Sequence, residues 1–234
     1  MMKKIILFMV MICLLLTGCD KAKGGPDAVT KATEKVNAET EEKQETTQQE
    51  QSAVTVNPLA DPTMDNLTDA TLAISLEEGG AYVDDTGKMQ MDLKIYTYDK
   101  YDMVDISALK VGDTLVTHNG EVEVASVDQN ENGTIYINGG LEEGGFDLVT
   151  DDSGVYFETG FNDAKNWYEV GEATIRVSAD FVGKDNADME KGEVILYPGS
   201  FLTGEVENYD FTPYNTTVRV EDGQIVEMTR IFVP

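Results

Sequence analysis

The chain has 234 residues, of which 41% are apolar and 8% aromatic, enough to bury a core in one or two domains. Its 44 acidic and 17 basic residues give a formal charge of −27, and no basic cluster follows the first few residues, so we expect no nucleic-acid partner. One histidine and two cysteines leave little material for thiol or histidine catalysis, or for His/Cys metal clusters.

The N-terminal residues have the layout of a signal sequence. Lys3 and Lys4 precede an unbroken apolar run at residues 5–16, which as a helix would span about 18 Å, well short of the roughly 30 Å hydrocarbon core of a membrane. Leu16-Thr17-Gly18-Cys19 resembles the lipobox of bacterial lipoproteins. The resemblance implies that residues 1–18 are a lipoprotein signal peptide, removed once the Cys19 thiol carries a diacylglyceryl group. The alternative is an ordinary secretory signal in which this cysteine is incidental.

Acylation of Cys19 would decide where the protein resides. Two or more acyl chains, palmitate among them, hold a protein stably on a bilayer, whereas one chain binds reversibly. Asp20 resembles the signal that retains lipoproteins in the inner membrane of Gram-negative cells, and Gram-positive cells have one membrane. We therefore expect a lipid-anchored, extracytoplasmic cell-surface protein on the outer face of the cytoplasmic membrane. Because Cys13 lies in the signal peptide, the mature chain would have no disulfide.

A change in composition separates a linker from a domain. From Asp20 to residue 63 the chain is rich in Lys, Glu, Thr, Gln and Ala and has no aromatic residue, so residues 19–63 are predicted to be the lipidated cysteine and a disordered acidic stalk. Residues 64–234 contain 35 of the 44 acids and 10 of the 17 bases, a net charge of −25. This acidity serves either solubility near an anionic envelope or the binding of cations.

Residues 64–234 show the two-residue period of half-buried strands. Apolar residues alternate at 72–76, 89–95 and 173–181, and turn pairs such as Asn119-Gly120, Asn132-Gly133 and Asp222-Gly223 separate the runs. Long amphipathic helical patterns are missing, with single turns expected at 105–110 and 163–167. The predicted fold class is all-β, an antiparallel sandwich or barrel of short hairpin-connected strands, built as one core or as two small β units.

Two acidic loop patterns stand out in the domain, and one of them resembles a calcium loop. Residues 76–80 and 84–87 are echoed by residues 141–145 and 151–154, which indicates either a duplicated β unit or a repeated choice of turn residues. Asp128, Asn130, Asn132 and Gly133 match the start of an EF-hand calcium loop, but its twelfth position is Gly139. We read this segment as an Asn-Gly hairpin and expect no cofactor, with calcium as the alternative.

The remaining candidates for chemistry are few. His118, the single histidine, precedes a hairpin turn, where a solvated surface position is expected. Asp151 and Asp152 are adjacent and would point to opposite faces of a strand, so they do not form an acid/base pair. The aromatic segment around Trp167 and Tyr168 suits either glycan or protein recognition or a place in the core; its other members are Tyr156, Phe157 and Phe161.

Together these observations predict a membrane-anchored bacterial surface lipoprotein with a non-catalytic binding or interaction domain. Its partners would be the bilayer, through Cys19, and a glycan or protein ligand of the cell envelope. The one assigned site residue is Cys19, with no catalytic, cofactor or metal residues. The alternatives are an accessory glycan-active hydrolase that uses carboxylates, and a calcium-stabilised structural domain.

Overall fold

The strands predicted from alternating hydrophobicity form an all-β structure. The computed structural model describes residues 52–233, except 152, 161–163 and 207. The signal peptide predicted at 1–18, Cys19 and the linker as far as residue 51 lie outside the described residues. The described strands are β1 (Thr55–Val56), β2 (Ala70–Ser75), β3 (Ala81–Val83), β4 (Met89–Thr97), β5 (Lys100–Tyr101), β6 (Thr114–Thr117), β7 (Gly120–Glu123), β8 (Val127–Gln129), β9 (Ile135–Ile137), β10 (Phe146–Thr150), β11 (Tyr156–Thr159), β12 (Tyr168–Asn186), β13 (Val194–Leu196), β14 (Thr216–Glu221) and β15 (Gln224–Ile231).

Helical structure is confined to short pieces. The helices are α1 (Met103–Ser107) and α2 (Ser200–Thr203), and 3₁₀ turns lie at Thr63–Asp65 and Leu141–Glu143. The side chain of Asp102 caps α1 by accepting a hydrogen bond from the backbone N–H of Val104. Within the part of the chain that the structure describes, no helix has the length and apolar character needed to span a membrane.

Five strands close into a barrel. β2, β4 and β12 pair antiparallel in chain order, β14 pairs with the free side of β2, and β15 fills the gap between β14 and β12. The contact of β15 with β12 is parallel, while the other contacts in the ring are antiparallel. Because the fourth of these strands lies beside the first, the barrel is a Greek key. The predicted antiparallel barrel is therefore confirmed, with one parallel seam that the hairpin signals did not predict.

The long strand β12 makes this closure possible because its two halves have different neighbours. Residues 168–176 pair with β4, and residues 176–186 pair with β15. The pairing with β15 shifts register between Val177 and Val182. The alternation predicted for this strand consequently holds as far as Val177 and then breaks, leaving Ala179 exposed.

The barrel encloses the first of two hydrophobic cores, and here the sequence pattern was accurate. The alternating residues predicted on β2 and β4 are all buried in this core. Its members with at most 2% exposure are Leu72, Ile74, Leu76, Met91, Leu93, Ile95, Phe181, Val218, Val220, Ile225 and Met228.

The second core is formed by the segment between β4 and β12 together with β1. A five-stranded sheet of β5, β11, β10, β9 and β8 and a three-stranded sheet of β1, β6 and β7 contribute to it, together with α1. Its buried members are Val56, Tyr101, Ile106, Leu109, Leu115, Val124, Ile135, Ile137, Leu148 and Tyr156. The described residues thus have two cores, although they belong to one compact unit.

The folded unit begins before the boundary predicted at residue 64. Strand β1 pairs in parallel with β6, Val56 is buried, and the N–H of Val54 donates to Asp113 Oδ1 at 2.8 Å. The sequence did not predict β1, because the composition around residue 55 resembles that of the linker and only one side chain, Val56, is buried there. Strand β1 therefore pairs with the folded region, and Val56 packs into its core.

The predicted turn pairs lie where strands reverse. Asn119-Gly120 joins β6 to β7, Asn132-Gly133 joins β8 to β9, and Asp222-Gly223 joins β14 to β15. Both residues of the last pair have positive φ, 50° at Asp222 and 71° at Gly223, which is the conformation that favours Asp-Gly in tight hairpins.

Candidate functional site

A groove on the outside of the barrel concentrates acidic side chains. Because β4 and β12 point alternate residues inward, Asp92 and Lys94 face outward from β4, and Glu172 faces outward from β12. Glu77 and Glu78, in the turn after β2, complete the rim. We call this cavity of about 610 Å³ the acidic groove.

The lysine of the acidic groove is already paired. Lys94 Nζ lies 3.3 Å from Glu77 Oε1, and this hydrogen bond and charge, followed by the charge of Glu169, raise the pKa of Lys94. Thr174 Oγ1 donates to Asp92 Oδ1 at 2.6 Å. Four carboxylates against one ammonium leave the groove strongly negative, so it favours cationic groups and hydrogen-bond donors.

A second cluster lies at the ends of strands from both cores. Asp99 follows β4, His118 begins the turn between β6 and β7, and Glu158 lies on β11. One ligand atom from each lies within 4.8 Å of those of the other two. Among the described residues this is the group of three metal-ligating side chains that the structure brings together. We call it the Asp99–His118–Glu158 cluster.

Asp99 makes hydrogen bonds to both His118 and Tyr168. Its Oδ2 accepts the backbone N–H of His118 at 2.7 Å and lies 3.0 Å from His118 Nδ1, and its Oδ1 accepts the Tyr168 hydroxyl at 3.1 Å. The imidazole stacks on the Tyr168 ring at 4.3 Å between centroids, and its Nε2 lies 2.9 Å from Asn119 Nδ2. Burial, followed by the charge of Asp99, raises the pKa of Tyr168. These contacts fix the orientation of the imidazole.

Glu158 is the residue of this cluster whose hydrogen-bonding capacity is least satisfied. Its residue is 6% exposed, Asn166 Nδ2 donates to its Oε1 at 2.8 Å, and its Oε2 is buried with no hydrogen-bond partner. Burial raises the pKa of Glu158 most, the Asp99 charge adds to this, and Asn166 and His118 oppose it. A buried carboxylate oxygen without a partner is costly, so this atom marks a place where a ligand would be favourable.

The sequence missed this cluster. His118 lies at a hairpin turn and is an exposed residue, as predicted, but its side chain is only 18% exposed, because Asp99 and Tyr168 reach the imidazole from other strands. Asp99 carries no local signal. Glu158 carries a weak one, since it directly follows the buried pair Tyr156 and Phe157 in a short strand.

The calcium-like loop is a hairpin turn between β8 and β9. Asn130 Oδ1 accepts the backbone N–H groups of Asn132 and Thr134, and Asn130 Nδ2 donates to the Tyr136 hydroxyl. The Asn130 oxygen that the alternative calcium site would use therefore accepts backbone hydrogen bonds. Asp151 likewise accepts hydrogen bonds from Ser153 in a turn, and its neighbour Asp152 lies outside the described residues.

The aromatic segment is divided between core and surface. Tyr156 and Phe157 are buried on β11, and Phe161 lies outside the described residues. Trp167 packs edge-on against Tyr98 at 4.9 Å between centroids. Lys165 Nζ lies 4.1 Å from the Tyr98 ring centroid, so the lysine makes a cation–π contact with the tyrosine that packs against Trp167.

Comparisons with known proteins returned no relative. No protein-family model, no curated protein and no solved structure matches the chain. Inferences about function therefore rest on the residues and geometry described above.

Proposed function

We propose that the chain is a bacterial surface lipoprotein, anchored through Cys19, whose β domain binds an amine-bearing envelope ligand in the acidic groove without catalysing a reaction. The anchor is supported by the basic start of the chain, the apolar run and the sequence Leu16-Thr17-Gly18-Cys19. Lipidation at this cysteine would hold the domain on the outer face of the cytoplasmic membrane.

The observation that carries the binding function is the acidic groove. It lies on the outer face of the second and third barrel strands, β4 and β12, beside the loop that follows the first strand. In five-stranded Greek-key barrels this face and this loop commonly bind oligosaccharides or oligonucleotides. The four carboxylates repel phosphate, which favours the saccharide class, and they favour sugars with free amino groups.

The absence of catalysis is supported by what lines the groove. Its lining includes neither histidine nor cysteine, and its lysine pairs with Glu77. The carboxylates are the groups that a glycan hydrolase would use, so hydrolysis is the competing function that the experiment has to detect.

Isothermal titration calorimetry of the full-length chain with glucosamine hexamer, at pH 6 and low salt, tests the proposal. The N-acetylated hexamer has no ammonium groups and is the matched ligand. We expect binding of the first and at least tenfold weaker binding of the second. Equal affinity, or no binding of either hexamer, would contradict the proposal, and release of shorter sugars would support the hydrolase instead.

Variants locate the binding site. Glu78→Gln with Glu172→Gln removes two exposed charges of the acidic groove and should weaken hexamer binding roughly tenfold at low salt. Glu142→Gln removes an exposed charge in the Leu141–Glu143 turn, away from the groove lining, and is the control. An equal loss in the control would mean that net charge, not the groove, attracts the ligand.

The anchor is tested separately. Cys19→Ala should abolish the incorporation of labelled palmitate and release the protein from the membrane fraction. Continued labelling of this variant would contradict lipidation at Cys19.

A further inference from the structure

The Asp99–His118–Glu158 cluster places two buried carboxylates close together without a full counter-charge. Asp99 is 3% exposed and Glu158 is 6% exposed. Among the described residues, neither has a lysine or arginine within ion-pair distance, and the partner of Asp99 is the imidazole of His118. Two carboxylates in such a site repel each other and have lost their hydration, a cost that one divalent cation would offset.

We propose that Asp99, His118 and Glu158 form a binding site for one divalent transition-metal ion, with Zn²⁺ as the best-matched common ion. Zinc binds imidazole nitrogen and carboxylate oxygen at about 2.0–2.2 Å, often with three protein ligands and one open position. Calcium and magnesium prefer shells made of oxygen alone, so the imidazole favours a transition metal.

The spacing of the donor atoms fits such an ion. Bonds of that length place two ligand atoms of a tetrahedral shell roughly 3.3 Å apart, and Asp99 Oδ2 lies 3.0 Å from His118 Nδ1. The widest separation in the cluster is within 4.8 Å. Binding of the ion would draw the Glu158 carboxylate closer to the other two ligand atoms by at most roughly 1.5 Å.

Each carboxylate is also held by a hydrogen bond to the oxygen that the metal would not use. The Tyr168 hydroxyl donates to Asp99 Oδ1, and Asn166 Nδ2 donates to Glu158 Oε1. The ion would bind the unpartnered Glu158 Oε2 and Asp99 Oδ2, which also accepts the backbone N–H of His118. Asn119 lies against Nε2 of His118, so Nδ1 faces the site. Metal binding at Nδ1 requires the imidazole tautomer that carries its proton on Nε2. That N–H would donate to Asn119 Oδ1 after the Asn119 side-chain amide rotates by 180°. Such outer contacts orient the ligands in known metal sites.

The two carboxylates of the cluster are buried while His118 is exposed, an arrangement that leaves room for an ion but not for a larger substrate. A sugar or peptide needs an open surface, and the acidic groove is lined by none of these three residues. An ion needs only a small space between the ligands. Since Asp99 follows barrel strand β4 and Glu158 lies on β11 in the second region, the ion would link the two cores.

The first test uses the untagged full-length chain and Zn²⁺ alone. Because His118 is the single histidine, ¹⁵N-histidine labelling gives imidazole signals that report on this site and on no other. One equivalent of Zn²⁺ should shift these signals, and saturation should raise the melting temperature by roughly 5–10 °C. Ca²⁺ at the same concentration should give a smaller rise. An unmoved imidazole signal, or an equal rise with Ca²⁺, would overturn the proposal.

The second test uses variants. Glu158→Gln keeps the shape and the hydrogen bond from Asn166 but removes the charge, and it should weaken Zn²⁺ binding at least 100-fold. The exposed Glu142→Gln variant should bind like the wild type. Circular dichroism shows whether Glu158→Gln has folded, and wild-type affinity in the folded variant would overturn the assignment. If the variant does not fold, the wild-type imidazole signals still decide the question.

Discussion

The barrel core and the second core are built differently. The barrel cluster consists of aliphatic, methionine and phenylalanine side chains, most of them on long strands, whereas the second cluster includes Tyr101 and Tyr156 and lies near the buried carboxylates of Asp113 and Glu158. Long strands satisfy most backbone polar groups by pairing. Strands of two to five residues, as in β5–β11, leave more of these groups to be satisfied by side chains. Polar side chains therefore contribute more to the structure of the second region.

Asn138 and Asp113 illustrate this contribution. Asn138 Oδ1 accepts the N–H of Ala125 at 2.7 Å, and its Nδ2 donates to the carbonyl of Glu123 at 2.9 Å. Asp113 accepts the N–H groups of Val54 and Lys110. The barrel has one counterpart in the buried Arg230, which pairs with Asp185 and lies over the ring of Phe211, a member of the barrel core.

The largest expected effect comes from a cavity in either core. Ile95→Ala in the barrel and Leu115→Ala in the second core each remove a fully buried side chain, and each should lower the free energy of unfolding by about 2–5 kcal/mol in urea titrations. We expect one transition in both variants, because the described residues form one compact unit. Two separate transitions would show that the cores unfold independently. Val104→Ala, at a position 74% exposed, is the control.

Asp113 is the next most sensitive position, and its effect depends on pH. The backbone N–H of Val54, followed by that of Lys110, lowers the pKa of Asp113 from its ordinary value of 3.8, against the effect of burial. A carboxyl group with a lowered folded-state pKa stabilises the fold above its unfolded pKa, and this stability is lost as the pH falls through the folded value. Asp113→Asn should cost about 1–3 kcal/mol at pH 7 and flatten the loss of stability below about pH 4. Parallel pH profiles for the variant and the wild type would contradict this role.

Tyr101→Phe tests a single polar contact in the second core. The fully buried hydroxyl of Tyr101 donates to the carbonyl of Val116 at 3.0 Å, and its removal leaves that carbonyl without this donor. The free energy of unfolding should fall by about 1 kcal/mol in urea titrations. Tyr197→Phe, at a position 61% exposed, should have little effect. Equal losses in both variants would show that burial of the hydroxyl is not the cause.

The smallest effect is expected on the outside of the barrel. Lys184 Nζ lies 2.7 Å from Glu227 Oε2, in a pair whose side chains are 40% and 28% exposed. Lys184→Gln should cost less than about 1 kcal/mol, because exposed ion pairs are weak and solvent-screened. The difference from the wild type should disappear in 1 M salt. A larger effect that persists in salt would mean that the barrel depends on surface charge more than its apolar core indicates.

The features of the fold that could be predicted from the sequence are the local ones. Alternation on β2 and β4, and the Asn-Gly and Asp-Gly turns, follow from side-chain direction and backbone conformation within a few residues. The parallel pairing of β12 with β15 joins strands that are distant along the chain, so no turn sequence between them predicts it. The same holds for the candidate site, where Asp99, His118 and Glu158 meet only after the two regions have formed.

The position of β1 has a mechanical consequence. Tension applied to the chain before residue 54 acts first on the Val54–Asp113 hydrogen bond and on the pairing of Thr55 and Val56 with β6, at the edge of the second core. If β1 detaches, the next backbone contact along the chain is the N–H of Leu59 with the carbonyl of Lys100. Release of residues 54–58 would lengthen the free chain by roughly 17 Å. If the chain is anchored at Cys19, as proposed, detachment of β1 under tension would lengthen the free chain at the cost of one second-core side chain, Val56, while the barrel core stays intact.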